Sequence, residues 1–322
     1  MKVGVLQFFG WADRRIPLAS VYERAIERFQ IMDETGYDAV WLAEHHFSGY
    51  SVCPSVHIMA THAAAKTKRM RIGTAVSLAP FYHPLRLAEE IALVDHLSGG
   101  RVNWGAGRGF SRAEFDAFGV PVAESAGRFR ETVEIVLEAW KEAPVTHHGE
   151  FFDVEGVDVL PKPLQHPHPP VWMAATSESA IDWAAGRGFS ILMDPHCTHA
   201  DLGAKRRRYG EQLAAAGHAD GGRDIPMARL IALADNADTA REIARRGAQW
   251  TVGSYIGGGA NTPAVDPVER YVNEVILHGT PESVIDQILA LKETAQMNYL
   301  LCAPLSQATF NLLTDEVLPA IG

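Results

Sequence analysis

Cysteine is scarce in this chain. There are three, Cys53, Cys197 and Cys302, odd in number, far apart and never in C-x-x-C spacing. That usage provides no disulfide framework and suits a reducing cytoplasm. Positive charge is also in deficit, with 29 Lys and Arg against 39 Asp and Glu, a net charge of −10. Phosphate backbones are bound through clustered Lys and Arg, so nucleic acid is not expected as a partner. The short run Lys205-Arg206-Arg207-Arg208 has a helical setting and reads as a solvated face. No apolar run approaches the ~20 residues of a membrane helix. The first residues, Met1-Lys2-Val3-Gly4-Val5-Leu6, read as a strand and lack the features of a signal peptide, so the expected location is cytoplasmic. No G-x-S-x-G elbow is present, which sets aside a Ser-His-Asp hydrolase.

What is present is alternation. The chain has 322 residues, 47% hydrophobic and 21% charged, room for one large barrel or two average domains of an ordinary globular enzyme. Apolar, β-rich segments at 2–9, 37–43, 70–78, 102–107, 171–174, 189–193, 227–234 and 298–302 alternate with segments of helical spacing. The helix expected from 84 to 97 has Pro84 at its start and Ser98-Gly99-Gly100 after its end. Eight strands, most followed by a helix, predict an α/β fold, a (β/α)8 TIM barrel rather than an open doubly wound sheet. Residues 145–163 alternate polar and apolar around Gly149 and Gly156, a β-excursion after the fourth repeat. Residues 250–271, with Gly257-Gly258-Gly259 and Pro263, form a long loop after the seventh strand, expected to rise as a lid. No composition shift marks a boundary, so residues 1–322 read as a single domain.

Chemistry-capable residues gather at the carboxyl ends of these strands, where parallel α/β folds bind ligands. The second strand runs apolar from Asp38 and ends in Glu44-His45-His46-Phe47. Adjacent strand residues point to opposite faces, so one imidazole is the candidate proton-exchanging group. The third strand ends in Leu78-Ala79-Pro80-Phe81-Tyr82-His83-Pro84, and Pro84 confines His83 to extended geometry. The fourth ends in Gly105-Ala106-Gly107-Arg108-Gly109-Phe110. Glycines let a backbone approach a ligand, and an arginine fork can grip phosphate. The fifth ends in Thr176-Ser177-Glu178-Ser179 and enters a helix, whose free N–H groups and hydroxyls suit an anion. His196-Cys197-x-His199 and His57-x-x-x-x-His62 lack converging metal geometry, and no metal is expected.

Trp41-Leu42-Ala43-Glu44-His45-His46-Phe47 resembles a segment of the bacterial luciferase-like flavin-dependent monooxygenases. So do Gly73-Thr74-Ala75-Val76, His83-Pro84-Leu85-Arg86, Ser98-Gly99-Gly100-Arg101, the Gly-Arg-Gly segment, Ser177 through Trp183-Ala184-Ala185, and Gly279-Thr280-Pro281-Glu282. The resemblance is collinear over nearly the whole chain. It implies a (β/α)8 barrel holding reduced FMN, supplied by a separate flavin reductase, that inserts one oxygen atom of O2 into a small organic substrate through a peroxyflavin. It implies His45 as the catalytic imidazole, with Arg108, Thr176, Ser177 and Ser179 at the FMN phosphate. The Ala75-Val76 peptide would lie under the isoalloxazine, where the family often carries a non-proline cis bond. A homodimer is also implied. The light-emitting members carry a reactive cysteine where Gly107 stands and an acidic residue where Thr176 stands, so luminescence is not implied. A deazaflavin-dependent hydride-transfer enzyme and a non-catalytic flavin-binding protein are the alternatives, and the former branch usually lacks the paired histidines.

Overall fold

Short runs rich in β-branched and aromatic residues become strands buried on both faces, as a parallel sheet requires. The computed structural model describes residues 1–12, 14, 16–256 and 266–322. Its strands are β1 (Lys2–Gln7), β2 (Ala39–Leu42), β3 (Arg71–Thr74), β4 (Ser77–Leu78), β5 (Val102–Gly107), β6 (Val145–His148), β7 (Asp153–Val157), β8 (Val171–Ala174), β9 (Ser190–Leu192), β10 (Pro226–Leu233), β11 (Leu277–Gly279) and β12 (Tyr299–Pro304). Helices α1 (Ala19–Thr35), α2 (Val56–Lys66), α3 (Pro84–Ser98), α4 (Arg112–Phe118), α5 (Ser125–Ala139), α6 (Glu178–Gly186) and α7 (His199–Ala215) alternate with them. They are followed by α8 (Ala237–Thr251), α9 (Pro267–Glu274), α10 (Pro281–Thr294), α11 (Gln307–Leu312) and α12 (Leu318–Ile321). None of the described helices is long and apolar enough to cross a membrane.

Pairing follows chain order. β1 pairs with β2, β2 with β3, β3 and β4 with β5, β5 with β8, and β8 with β9, all parallel. β10 pairs with β12, and β12 returns to β1. A bridge between Met193 and Met227 links the end of β9 to β10. The fold is therefore α/β with a curled, parallel sheet whose strand ends share one rim.

Several elements differ from the sequence-based expectation. The third strand is split into β3 and β4 by a cis Ala75–Val76 peptide. Residues 145–163, read as a β-excursion, do contain β-structure, an antiparallel hairpin of β6 with β7 in a sheet of its own. Residues 250–271 are not one irregular loop: α8 continues through Thr251 into a π-helical turn at Val252–Ile256, and α9 begins at Pro267. Residues 257–265 lie outside the described residues. The short strand β11, paired with β10, was not anticipated.

Two apolar layers result. Val5, Val40, Ile72 and Val102 face the helices, while Leu6, Trp41, Trp172, Tyr299 and Leu301 fill the space inside the curl. The Trp41 indole is fully buried, meets Trp172 edge-on at 5.1 Å and donates to Tyr299 Oη at 3.1 Å. A Cβ at Gly73 would stand 2.4 Å from that indole, so the neighbouring strand must be bare there.

At the amino-terminal rim, one side chain ties loops together. Arg101 Nε donates to Ser98 O at 2.8 Å. Its Nη1 donates to Thr67 Oγ1 (2.9 Å) and Met70 O (2.8 Å), and its Nη2 to Ala64 O (3.0 Å) and Thr67 O (3.1 Å). Five bonds use the whole guanidinium fork, which lysine cannot copy. Arg101→Lys is expected to destabilise the fold by about 2–4 kcal/mol from the loss of two or more bonds, read as a lower urea midpoint with an unchanged m-value.

Candidate active site

A cavity of about 790 Å³ opens at the carboxyl ends of β1, β2, β4, β5, β8 and β9. Cofactor and small-molecule sites occupy roughly 300–1,000 Å³. His45, Ala75, Val76, Arg108, Thr176, Ser177 and Ser179 all line it. His83 does not. A short 3-10 turn at Ala79–Phe81 carries the chain off the rim, so His83 becomes the exposed N-cap of α3, its ring edge-on to Phe152 at 5.8 Å. His83 therefore stands at the start of α3, away from the cavity that the other expected residues line.

The wall formed by β5, α5 and α6 is basic. Arg108 is exposed to the cavity, and among the described residues no carboxylate forms a salt bridge with it. Arg130 lies 5.7 Å from the Trp183 ring centre, and both line the same wall. Ser177 caps α6, accepting from Ala180 N–H at 3.3 Å, and its Oγ stands 3.2 Å from Ser179 Oγ. A guanidinium without a carboxylate, beside hydroxyls at a helix start, fits a phosphate oxygen acceptor set. A Cβ at Gly107 would lie 2.2 Å from Val76 Cγ2. Glycine there lets the β5 backbone sit against Val76, and a cysteine at this position would not fit beside that side chain.

The wall formed by the loops after β2 and β9 carries imidazoles and carboxylates. Glu44 is buried; it accepts from Leu78 N–H at 3.3 Å and lies 3.0 Å from His46 Nε2. Glu114, 5% exposed, accepts from His46 N–H at 2.9 Å and stands 3.9 Å from His45 Nδ1. The His45 ring stacks on Phe8 at 6.2 Å and meets Tyr50 edge-on at 5.2 Å. Its backbone N–H is fixed by Cys53 O at 3.2 Å. Burial pushes the Cys53 thiol up to about 12, with Glu44 adding to the shift, so this sulfur stays a thiol. His196 reaches the cavity from the loop after β9 and bonds to Tyr271 Oη. Burial lowers its imidazole to about 4, against the opposing pull of Asp194, with His45 and Arg229 pressing the same way as burial.

The sequence reading quoted Glu44 and His46 without giving them site roles, and it missed Glu114, Arg130 and Asp194. Glu114 was hidden because Ser111-Arg112-Ala113-Glu114 has the spacing of a helix capping box. Ser111 is indeed the N-cap, yet it makes no side-chain cap bond, and Glu114 turns to the histidines instead. His196 stood in the sequence as a discarded metal ligand; its position beside His45 depends on the curl of the sheet.

Fold and lining together give the layout of a parallel α/β enzyme, with a basic wall in the cavity at the carboxyl rim of the sheet. The chain belongs to the luciferase-like monooxygenase family, which it matches over residues 1–296. It is 34% identical over 177 residues, 54% of its length, to the oxygenase component of a flavin-dependent trigonelline monooxygenase of Acinetobacter baylyi. The chain spans about half the length of two of the curated relatives it matches, 50% and 49%, and 93% of another. Among solved structures, the oxygenating constituent of 3,6-diketocamphane monooxygenase of Pseudomonas putida, in complex with FMN, has a TM-score of 0.83 at 21% identity, covering 100% of this chain and 99% of that one. An F420-dependent secondary alcohol dehydrogenase has the same fold, with a TM-score of 0.82 at 20% identity, covering 100% and 99%.

The depressed His196 imidazole has a consequence for stability. An unfolded histidine titrates near 6.5. Between about pH 6.5 and 4 the unfolded chain therefore binds a proton here that the folded chain does not, and stability falls as pH drops through that window. In urea unfolding at pH 7 and pH 4.5, His196→Asn is expected to lose less stability on acidification than the parent protein.

Proposed function

We propose that this protein is an FMN-dependent monooxygenase that uses reduced flavin to insert one oxygen atom of O2 into a small organic substrate. The supporting observation is convergence. An arginine without a carboxylate partner and a carboxylate-braced imidazole pair open onto one cavity, on a parallel curled sheet that we read as a single eight-unit barrel domain. Family membership supports the oxidoreductase class. A relative described as an oxygenase component supports supply of reduced FMN by a separate, transiently bound reductase.

The site's residues divide the work. Arg108, with Arg130, Thr176, Ser177 and Ser179, would hold the FMN phosphate. The Ala75–Val76 peptide and bare Gly107 would form the surface on which the flavin rings lie. When bound, reduced FMN supplies the electrons that activate oxygen. His45 would hold or donate a proton beside the reacting atoms, with Glu114 fixing its ring and Glu44 fixing its neighbour His46. The apolar wall of Leu6, Phe8 and Leu192 would keep water out, which reactive oxygen chemistry needs. Ile58 on α2 and Leu93 and Leu97 on α3 are apolar and 74%, 49% and 57% exposed, surface that a homodimer would cover.

The F420-dependent neighbour makes a deazaflavin hydride-transfer enzyme the competing reading. Anaerobic titration with reduced FMN and with reduced F420 separates the two, and preference for F420 would overturn the monooxygenase. Arg108→Ala should weaken FMN roughly 10- to 150-fold, the worth of a charged hydrogen bond, while riboflavin is hardly affected. Equal loss for both flavins would remove Arg108 from the phosphate. His45→Asn should keep flavin affinity and oxygen consumption while the yield of oxygenated product per flavin oxidised falls at least tenfold.

A further inference from the structure

A second cavity, of about 510 Å³, lies beside the first at the ends of β1 and β12, against α1 and α8. The two share a wall: Leu6, Phe8 and Tyr50 line both. Three guanidiniums line the second cavity, from Arg24 and Arg28 on α1 and Arg246 on α8, and no carboxylate is among its described lining residues. That is an unusual concentration of positive charge for a chain with a net charge of −10.

The partners of these arginines leave the charge largely uncompensated. Arg24 Nε donates to Ser20 O at 3.0 Å. Arg28 Nε donates to the neutral Gln307 Oε1 at 2.8 Å, and its guanidinium lies over the Phe310 ring at 5.1 Å. Arg246 has one carboxylate, Glu242, at 3.6 Å, with both side chains more than half exposed, a pairing worth little. Burial first, and the nearby Arg24 second, lower Arg28 to about 10 against the opposing pull of Tyr37. The rest of the wall is apolar, including Leu230, Ile243 and Trp250.

We propose that this second chamber binds an organic acid, its carboxylate or sulfonate held by Arg24, Arg28 and Arg246 and its apolar body directed along Leu230, Ile243 and Trp250 towards Phe8 and Tyr50. The rings of Phe8 and Tyr50 both pack on His45. An acid anchored at the arginines would thus reach the partition between the chamber and the imidazole. As an oxygenation substrate, such an acid depends on the flavin reading above; as a ligand of the chamber, it does not.

The test is calorimetric binding to the full-length chain without flavin, using octanoate, octanesulfonate and 1-octanol, followed by reduced FMN titration of each variant. One or both acids should bind at least tenfold more tightly than the alcohol and weaken with added salt, the tighter acid naming the head group. Arg24→Gln/Arg28→Gln should lower acid affinity roughly 10- to 150-fold and leave reduced FMN affinity unchanged. Because Arg28 packs on Phe310, Arg24→Gln alone, at an exposed guanidinium, is the variant that preserves the fold, and it should show a smaller loss in the same direction. Octanol binding as tightly as both acids would overturn the proposal. So would acid binding that survives Arg24→Gln but is lost in Arg108→Ala, which would place the acid in the first cavity. Acid binding as described without reduced FMN binding would uphold the chamber and sink the flavin reading; FMN binding without acid binding would do the reverse.

Discussion

The buried carboxylate of Glu44 is the contact on which the site depends. A carboxylate out of water is tolerated only when its oxygens are satisfied. Here one oxygen meets His46 Nε2 and the other the Leu78 amide. The first bond sets the course of the loop after β2, and with it the place of His45. The second secures the chain just after the Ala75–Val76 peptide. On the same segment, His57 bridges Ser77 Oγ (2.9 Å) and Glu90 (2.8 Å), and Thr74 Oγ1 exchanges bonds with the Gly105 backbone. One short stretch, residues 74–78, is thus braced from three neighbouring elements.

Bracing of this kind leaves the mouth of the sheet electrically divided. Arg108 and Arg130 line the β5 and α5 side, while Glu44, Asp194 and the imidazoles line the β2 and β9 side, joined by Glu114 from α4. An anion approaching such a mouth is drawn to the side that carries the guanidiniums, since opposite charges attract it from that side. The glycines and the Val76 side chain along the floor decide how near the backbone can come. Charge sets direction, and the bare backbone sets depth.

Much of this was legible in the sequence because it follows from period and position. Buried strands announce themselves as apolar runs, and their carboxyl ends identified His45, Arg108 and Ser177 as candidates. Arg101 was also visible, as part of a family-like segment, but only the coordinates show that its work is structural and lies at the amino-terminal rim. What the sequence hid was whatever depends on a turn. His83 looked functional because Pro84 follows it, yet the 3-10 turn before it removes it from the rim. Glu114 stands in the spacing of a capping box, which gives no hint that it serves two histidines 68 and 69 positions away. His196 showed only a motif of the wrong kind and Arg28 none, since their meaning comes from the elements that the curl brings beside them.

Arg101 and the loops it binds place rigidity on one rim, and the chemistry sits on the other. Changes of sequence therefore have unequal costs on the two faces. Away from the stretch braced by Glu44 and His57, loops at the mouth carry fewer such ties, whereas the segments gathered around Arg101 are held to their present form. A lineage built on this plan can acquire new substrates by remodelling one end alone, and such divergence should be read from that end.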